Sequence, residues 1–171
     1  PEEIQRLLIQ AREDGCYELL LLELSTGLRR GEIQTISTDH CSFTLAQKDA
    51  GREDFTKIPG GLPGVETRGE LIYSYGVAAK KLSLAQMCRV LSENPAKLYG
   101  LYPHKGVLAP GSDADIVIYD PGDSHVIRAE DCVANVDYNP YEGFVTAGGI
   151  REVWLRGRKT VENGKVLDTV P

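Results

Sequence analysis

Thr38-Asp39-His40-Cys41 follows Ile33-Gln34-Thr35-Ile36-Ser37, a stretch that alternates like a short β-strand. A carboxylate at such a strand end is a hard ligand when ionised and a proton donor when protonated; taken alone, it is equally a turn or N-cap residue. Other groups suited to chemistry are few. The three histidines, His40, His104 and His125, include no His-x-His pair. The four cysteines, Cys16, Cys41, Cys88 and Cys132, are too far apart for a zinc knuckle or a redox pair, and they read as buried free thiols of a reducing compartment. Arg29 and Arg30 offer guanidinium forks that can grip a phosphate, although solvated arginines near a helix end are the commoner case.

The elements that must position these groups follow from periodicity and turn chemistry. Ile4, Leu7, Leu8 and Ala11 share one face and predict a helix over 2–14, stopped by Gly15. A second helix is predicted from Tyr17 to Ser25, ending at Gly27. Leu19, Leu20, Leu21 and Leu22 cover all its sides, so the two form a helical hairpin that needs burial. A polar stretch over 47–56 leads to a Gly/Pro-rich loop from Ile58 to Arg68. Helices are predicted through Leu71, Ile72, Tyr75 and Ala79, and again from Ser83, with Gln86 as capping-box partner and Met87, Val90 and Leu91 as the buried face. Asn94-Pro95 predicts an N-cap with proline in the first helical position, and Gly100 a stop. After Lys105 the pattern is strand: Asp115 to Asp120, Glu152 to Arg156, then Lys159–Glu162 and Lys165–Asp168 around the hairpin signal Asn163-Gly164.

With 171 residues, 42% hydrophobic and 26% charged, the composition is that of a globular protein. Nineteen basic against 25 acidic residues give a net charge of −6, which argues against a nucleic-acid partner held by phosphate contacts. The longest apolar run, Leu19–Leu22, is too short to span a bilayer, and no leader pattern opens the chain. The expectation is a cytoplasmic protein with no membrane partner.

Two resemblances divide the chain. Pro1-Glu2-Glu3-Ile4 and the run from Glu18 through Ser25-Thr26-Gly27-Leu28-Arg29-Arg30-Gly31-Glu32 resemble the start of a tyrosine recombinase catalytic domain, which implies that Arg29 contacts a scissile phosphate. That family also needs a His-x-x-Arg motif and a tyrosine nucleophile. His125-Val126-Ile127-Arg128, followed by Tyr138 and Tyr141, has the spacing but sits in strand-like rather than helical text, so DNA strand transfer is the least favoured function.

From Ile33 to Pro171 the chain resembles the C-terminal part of dihydropyrimidinases and D-hydantoinases, cyclic amidohydrolases of the metal-dependent (β/α)8 superfamily. The residues that carry this are Thr38-Asp39-His40-Cys41-Ser42-Phe43, the loop from Phe55 through Pro63-Gly64-Val65-Glu66-Thr67-Arg68, Asn94-Pro95-Ala96-Lys97-Leu98-Tyr99-Gly100-Leu101, and Lys105-Gly106 with Pro110-Gly111-Ser112-Asp113-Ala114-Asp115. The resemblance implies an α/β fragment: the last strand and helices of a (β/α)8 barrel over 33–104, then an antiparallel β-sandwich part over 105–171. The recombinase-like helical hairpin over 1–32 precedes both.

It also implies a site. The family binds two divalent metals, zinc among them, whose bridging hydroxide attacks the cyclic amide. Asp39 matches the strand-eight aspartate that ligates metal and shuttles the proton. Asn94 matches the position whose main chain holds the substrate ring. His40 is expected to point away from the metals as a supporting or packing residue, Cys41 to be buried, and Lys97 and Glu66 to form structural ion pairs or brace loops. The family's His-x-His pair, carboxylated lysine and further histidines have no counterpart, so zinc is not expected to be held by this chain alone. The expected function is that of a truncated dihydropyrimidinase or hydantoinase, acting on cyclic amides and inactive in isolation. The alternative is a non-catalytic folded remnant or interaction module of a chimeric gene joined near Gly31–Ile33. An open sheet edge, to which Trp154 and Tyr119 add sticky surface if left uncovered, implies self-association.

Overall fold

A capping box starts the first helix. The Thr44 hydroxyl accepts from Gln47 N while the Gln47 side chain accepts from Thr44 N, and α1 (Leu45–Asp49) follows inside what the sequence suggested was mainly a polar stretch. The computed structural model describes residues 35–167, so both helices expected within 1–32 lie outside the described residues. A 3-10 turn, Phe55–Lys57, is capped by Asp54. Helix α2 (Arg68–Ile72) widens into a π-turn, Tyr73–Ala78. Helix α3 (Leu84–Cys88) opens on the expected Ser83/Gln86 capping box. It runs on through a second π-turn, Arg89–Glu93, into α4 (Asn94–Leu98).

Two expectations are corrected here. Asn94 is not an N-cap: its backbone is helical (φ −67, ψ −43) and continuous with the preceding turn. A π-turn ahead of Pro95 re-spaces the ladder where proline supplies no N–H, so the helix passes through instead of restarting. The strand expected over 33–37 is also not formed across its described part. Ile36 is buried and its N–H donates to Val90 O (3.0 Å), a helical carbonyl rather than a strand neighbour. A strand needs a ladder partner, and none stands beside this segment among the described residues. The stop at Gly100 is as expected, with φ +70 and its N–H on Lys97 O.

Four antiparallel strands make one sheet in sequence order: β1 (Ile116–Asp120), β2 (Gly149–Leu155), β3 (Arg158–Glu162) and β4 (Lys165–Val166). Val117 faces Val153, Val153 faces Val161, and Val161 faces Val166, so one apolar row crosses the sheet. No second sheet stands opposite among the described residues, and Val117 (59%) and Val166 (54%) are well exposed. Trp154 and Tyr119, expected to be sticky only if left uncovered, are partly covered. Lys159 lies 5.3 Å over the Trp154 ring, whose Nε1 donates to Glu152, and Tyr119 packs on Tyr73 at 4.3 Å.

Among the described residues the buried apolar side chains are Ile36, Ala96 and Ile127, a small core. Polar contacts join α2 to the sheet. Glu70 accepts from Ile150 N and sits 3.4 Å from His125 Nε2, while Ser74 donates to Glu70 O and accepts from Ala147 N. Thr146 Oγ1 accepts from His125 N (3.1 Å).

The connection into β1 is pinned by Lys105, which donates to Asp113 and Asp115; Asp115 also accepts from Arg156 N. The Lys105 ammonium first, then the Arg156 amide, hold the Asp115 carboxyl below its ordinary value. A depressed folded pKa gives stabilisation that is complete above the unfolded carboxylate value and lost as pH falls through the folded one. Asp115→Asn is therefore expected to flatten the loss of stability below about pH 4. Urea melts across that range check it, and an acid limb identical to that of the parent chain would count against this role for the pair.

Candidate functional site

Asp39 has φ +44, the left-handed region that a non-glycine residue enters mainly when it is Asn or Asp. It is exposed, and no hydrogen bond or ion pair involves its carboxylate among the described residues. The backbone on either side is tied down by other means. His40 Nδ1 accepts from Gly64 N (3.1 Å) and Val65 N (3.3 Å), which leaves Nε2 as the protonated nitrogen of the neutral ring. Cys41 N donates to Leu62 O. Lys48 Nζ donates to Pro59 O (2.8 Å) and Gly61 O (2.6 Å), with its ammonium 5.5 Å over the Phe43 ring. Glu66 then accepts from Val133 N and Ala134 N, tying in the 132–139 loop.

These three segments border a narrow cleft with room for about one water molecule, with His40, Thr67, Cys132 and Tyr138 on its walls. Thr67 Oγ1 and the Tyr138 hydroxyl are sealed in with no hydrogen-bond partner among the described residues. Cys132 accepts from Asn139 Nδ2, and burial, with Glu66, Asp131 and Glu142 nearby, pushes its thiol up from the ordinary value. That environment disfavours the thiolate form of Cys132.

His40 braces a loop rather than merely packing. Glu66 braces as expected, and Lys97 pairs with Glu93. Cys41 and Cys88 are exposed, against the expectation of buried thiols; the 59–64 loop meets Cys41 through the bond from Cys41 N to Leu62 O but does not enclose the residue. Asn94 is half-buried in the continuous helix that Ile36 N–Val90 O ties to the segment leading to Asp39. Lys48 was missed, and no local motif signals it: its two acceptors lie 11 and 13 residues away.

No group of three or more His, Cys, Asp or Glu side chains converges on a metal position among the described residues. A zinc centre takes at least three protein ligands. The described residues therefore do not fit a metal centre by themselves, and Asp39 could supply at most one ligand to it.

Comparison with known proteins places these residues in context. The amidohydrolase family model matches residues 21–165. A D-phenylhydantoinase of Escherichia coli O1:K1 is 44% identical over 136 residues, 79% of this chain and 30% of the relative. A D-hydantoinase of Streptomyces coelicolor is 45% identical over 79% of this chain and 29% of its own length. The crystal structure of dihydropyrimidinase from Brevibacillus agri superposes with a TM-score of 0.79 at 42% identity, over 88% of this chain and 32% of that one. The chain thus spans about 30% of the length of the curated relatives it matches. The family match starts at residue 21, ahead of the junction expected near Gly31–Ile33, and none of these similarities supports a recombinase-like part.

Proposed function

The chain belongs to the amidohydrolase family, and from that premise we propose that it is a portion of a cyclic-amide hydrolase of the dihydropyrimidinase and hydantoinase type. Asp39 is its catalytic carboxylate, and the main chain at Asn94 is its contact to the substrate ring. The observation that carries this reading is the state of Asp39: a solvent-facing carboxylate with no partner among the described residues, at φ +44, on backbone fixed by His40 and Cys41 to a neighbouring loop. Sparsely populated backbone held by its surroundings concentrates at functional sites. A carboxylate free of other bonds can hold a proton on Oδ and deliver it to the ring nitrogen that leaves when the amide is cleaved. No step is assigned to a metal, because the described residues do not assemble a site for one.

The test is to co-express the chain with a polypeptide carrying the N-terminal two-thirds of a hydantoinase relative and to assay opening of hydantoin and dihydrouracil. Ring opening is expected only when both are present, and Asp39→Asn is expected to reduce it by about a hundredfold or more. The same substitution is expected to leave the stability of the chain within about 0.5 kcal/mol, since Asn adopts this backbone as readily as Asp. Activity that survives Asp39→Asn would overturn the assignment.

A further inference from the structure

We propose that Asn163 is a deamidation site whose reactivity is gated by opening of the β3–β4 hairpin. Asn163 and Gly164 form the two-residue turn between β3 and β4, with Glu162 paired to Lys165. Their φ values, +49 and +73, are those of a type I′ turn. Both residues are exposed, and Gly164 is so open that an added Cβ would meet nothing within 4 Å. The Gly164 amide is therefore sterically unhindered.

The reaction needs only water. The Gly164 amide nitrogen loses its proton to hydroxide and attacks Cγ of Asn163. The bond from Cγ to the side-chain nitrogen breaks, ammonia leaves, and a five-membered succinimide forms. Water then opens either ring carbonyl, giving aspartate or isoaspartate. Attack requires the amide nitrogen within about 3–3.5 Å of Cγ. Asn163 N donates to Arg151 O (2.7 Å), which holds the turn against β2 and restricts the rotation that such an approach requires. The closed hairpin therefore resists the step.

Opening should be frequent. β4 is two exposed residues long, fastened by its pairs to β3 and by Leu167 N on Thr160 O (2.9 Å). Each opening exposes Asn163 to a reaction that does not reverse. The product adds a carboxylate next to Glu162. As isoaspartate it also adds a methylene to the main chain, which a two-residue turn does not accommodate. β4 would then stay undocked, and β3 would become the sheet edge.

The full chain is incubated in mildly alkaline buffer, folded and in urea, and the tryptic peptide Thr160–Lys165 is followed by mass and by chromatographic separation of its isomers. Deamidation is expected at least about tenfold more slowly in the folded chain than in urea. Val166→Asp, which weakens β4 docking, is expected to raise the folded rate toward the urea rate, and Asn163→Gln to abolish the signal. Equal rates with and without urea, no deamidation under either condition, or a folded rate that Val166→Asp does not move would each overturn the proposal.

Discussion

Gly61→Ala is expected to detach the 59–66 loop from the segment that carries Asp39, at a cost of about 3 kcal/mol or more. Gly61 has φ +127, which no side-chain-bearing residue adopts comfortably. A Cβ there would lie 2.4 Å from Cys41 O and 2.8 Å from Cys41 Cβ. The obstruction is backbone, and that backbone is fixed: Cys41 N donates to Leu62 O, and Lys48 holds the carbonyl of Gly61 itself. Relief would have to break one of these bonds, and with it the bracing around Asp39. Gly60→Ala is the matched control, because a Cβ at Gly60 meets nothing within 4 Å. It is expected to change stability by no more than about 0.5 kcal/mol. Urea melts of the two variants decide the matter, and equal midpoints would mean that the loop yields where this geometry says it cannot.

What was legible in the sequence was local. The Ser83/Gln86 capping box, the Gly100 stop and the Asn163-Gly164 turn each lie within a few residues of one another, so their hydrogen bonds are written in adjacent letters. Asn94 shows the limit of such reading. Asn-Pro is a sound helix-start signal, yet a π-turn upstream absorbs the proline and the helix continues. The 33–37 segment shows another limit. Alternation marks a stretch fit to be a strand, but a strand exists only against neighbours, and Ile36 finds a helical carbonyl instead. The site divides in the same way. Asp39 is nominated by a contiguous motif, Thr38-Asp39-His40-Cys41. The contacts that fix its surroundings could not be read this way, since His40 reaches residues 24 and 25 positions away and Glu66 reaches 67 and 68. Side chains engaged at such distances leave no periodic trace.

The 171-residue chain, purified alone, is expected to hold far less than one zinc per molecule and to leave hydantoin and dihydrouracil rings closed. All three histidines lie among the described residues, and no pair of them joins a third donor at one point. His40 already uses Nδ1 on two loop amides, and His125 stands between Glu70 and Thr146. Recruiting either would undo a contact that ties segments of the fold together. Several carboxylates are committed as well: Glu66 to two amides, Glu70 to Ile150 and His125, Asp115 to Lys105 and Arg156. Asp39 is uncommitted among the described residues, and one carboxylate binds a divalent ion too weakly to survive dialysis. Elemental analysis after dialysis, with a ring-opening assay on the same sample, makes the measurement. About two metals per chain, the stoichiometry of a two-metal hydrolase, would show that the chain assembles a centre from donors that are apart in this fold.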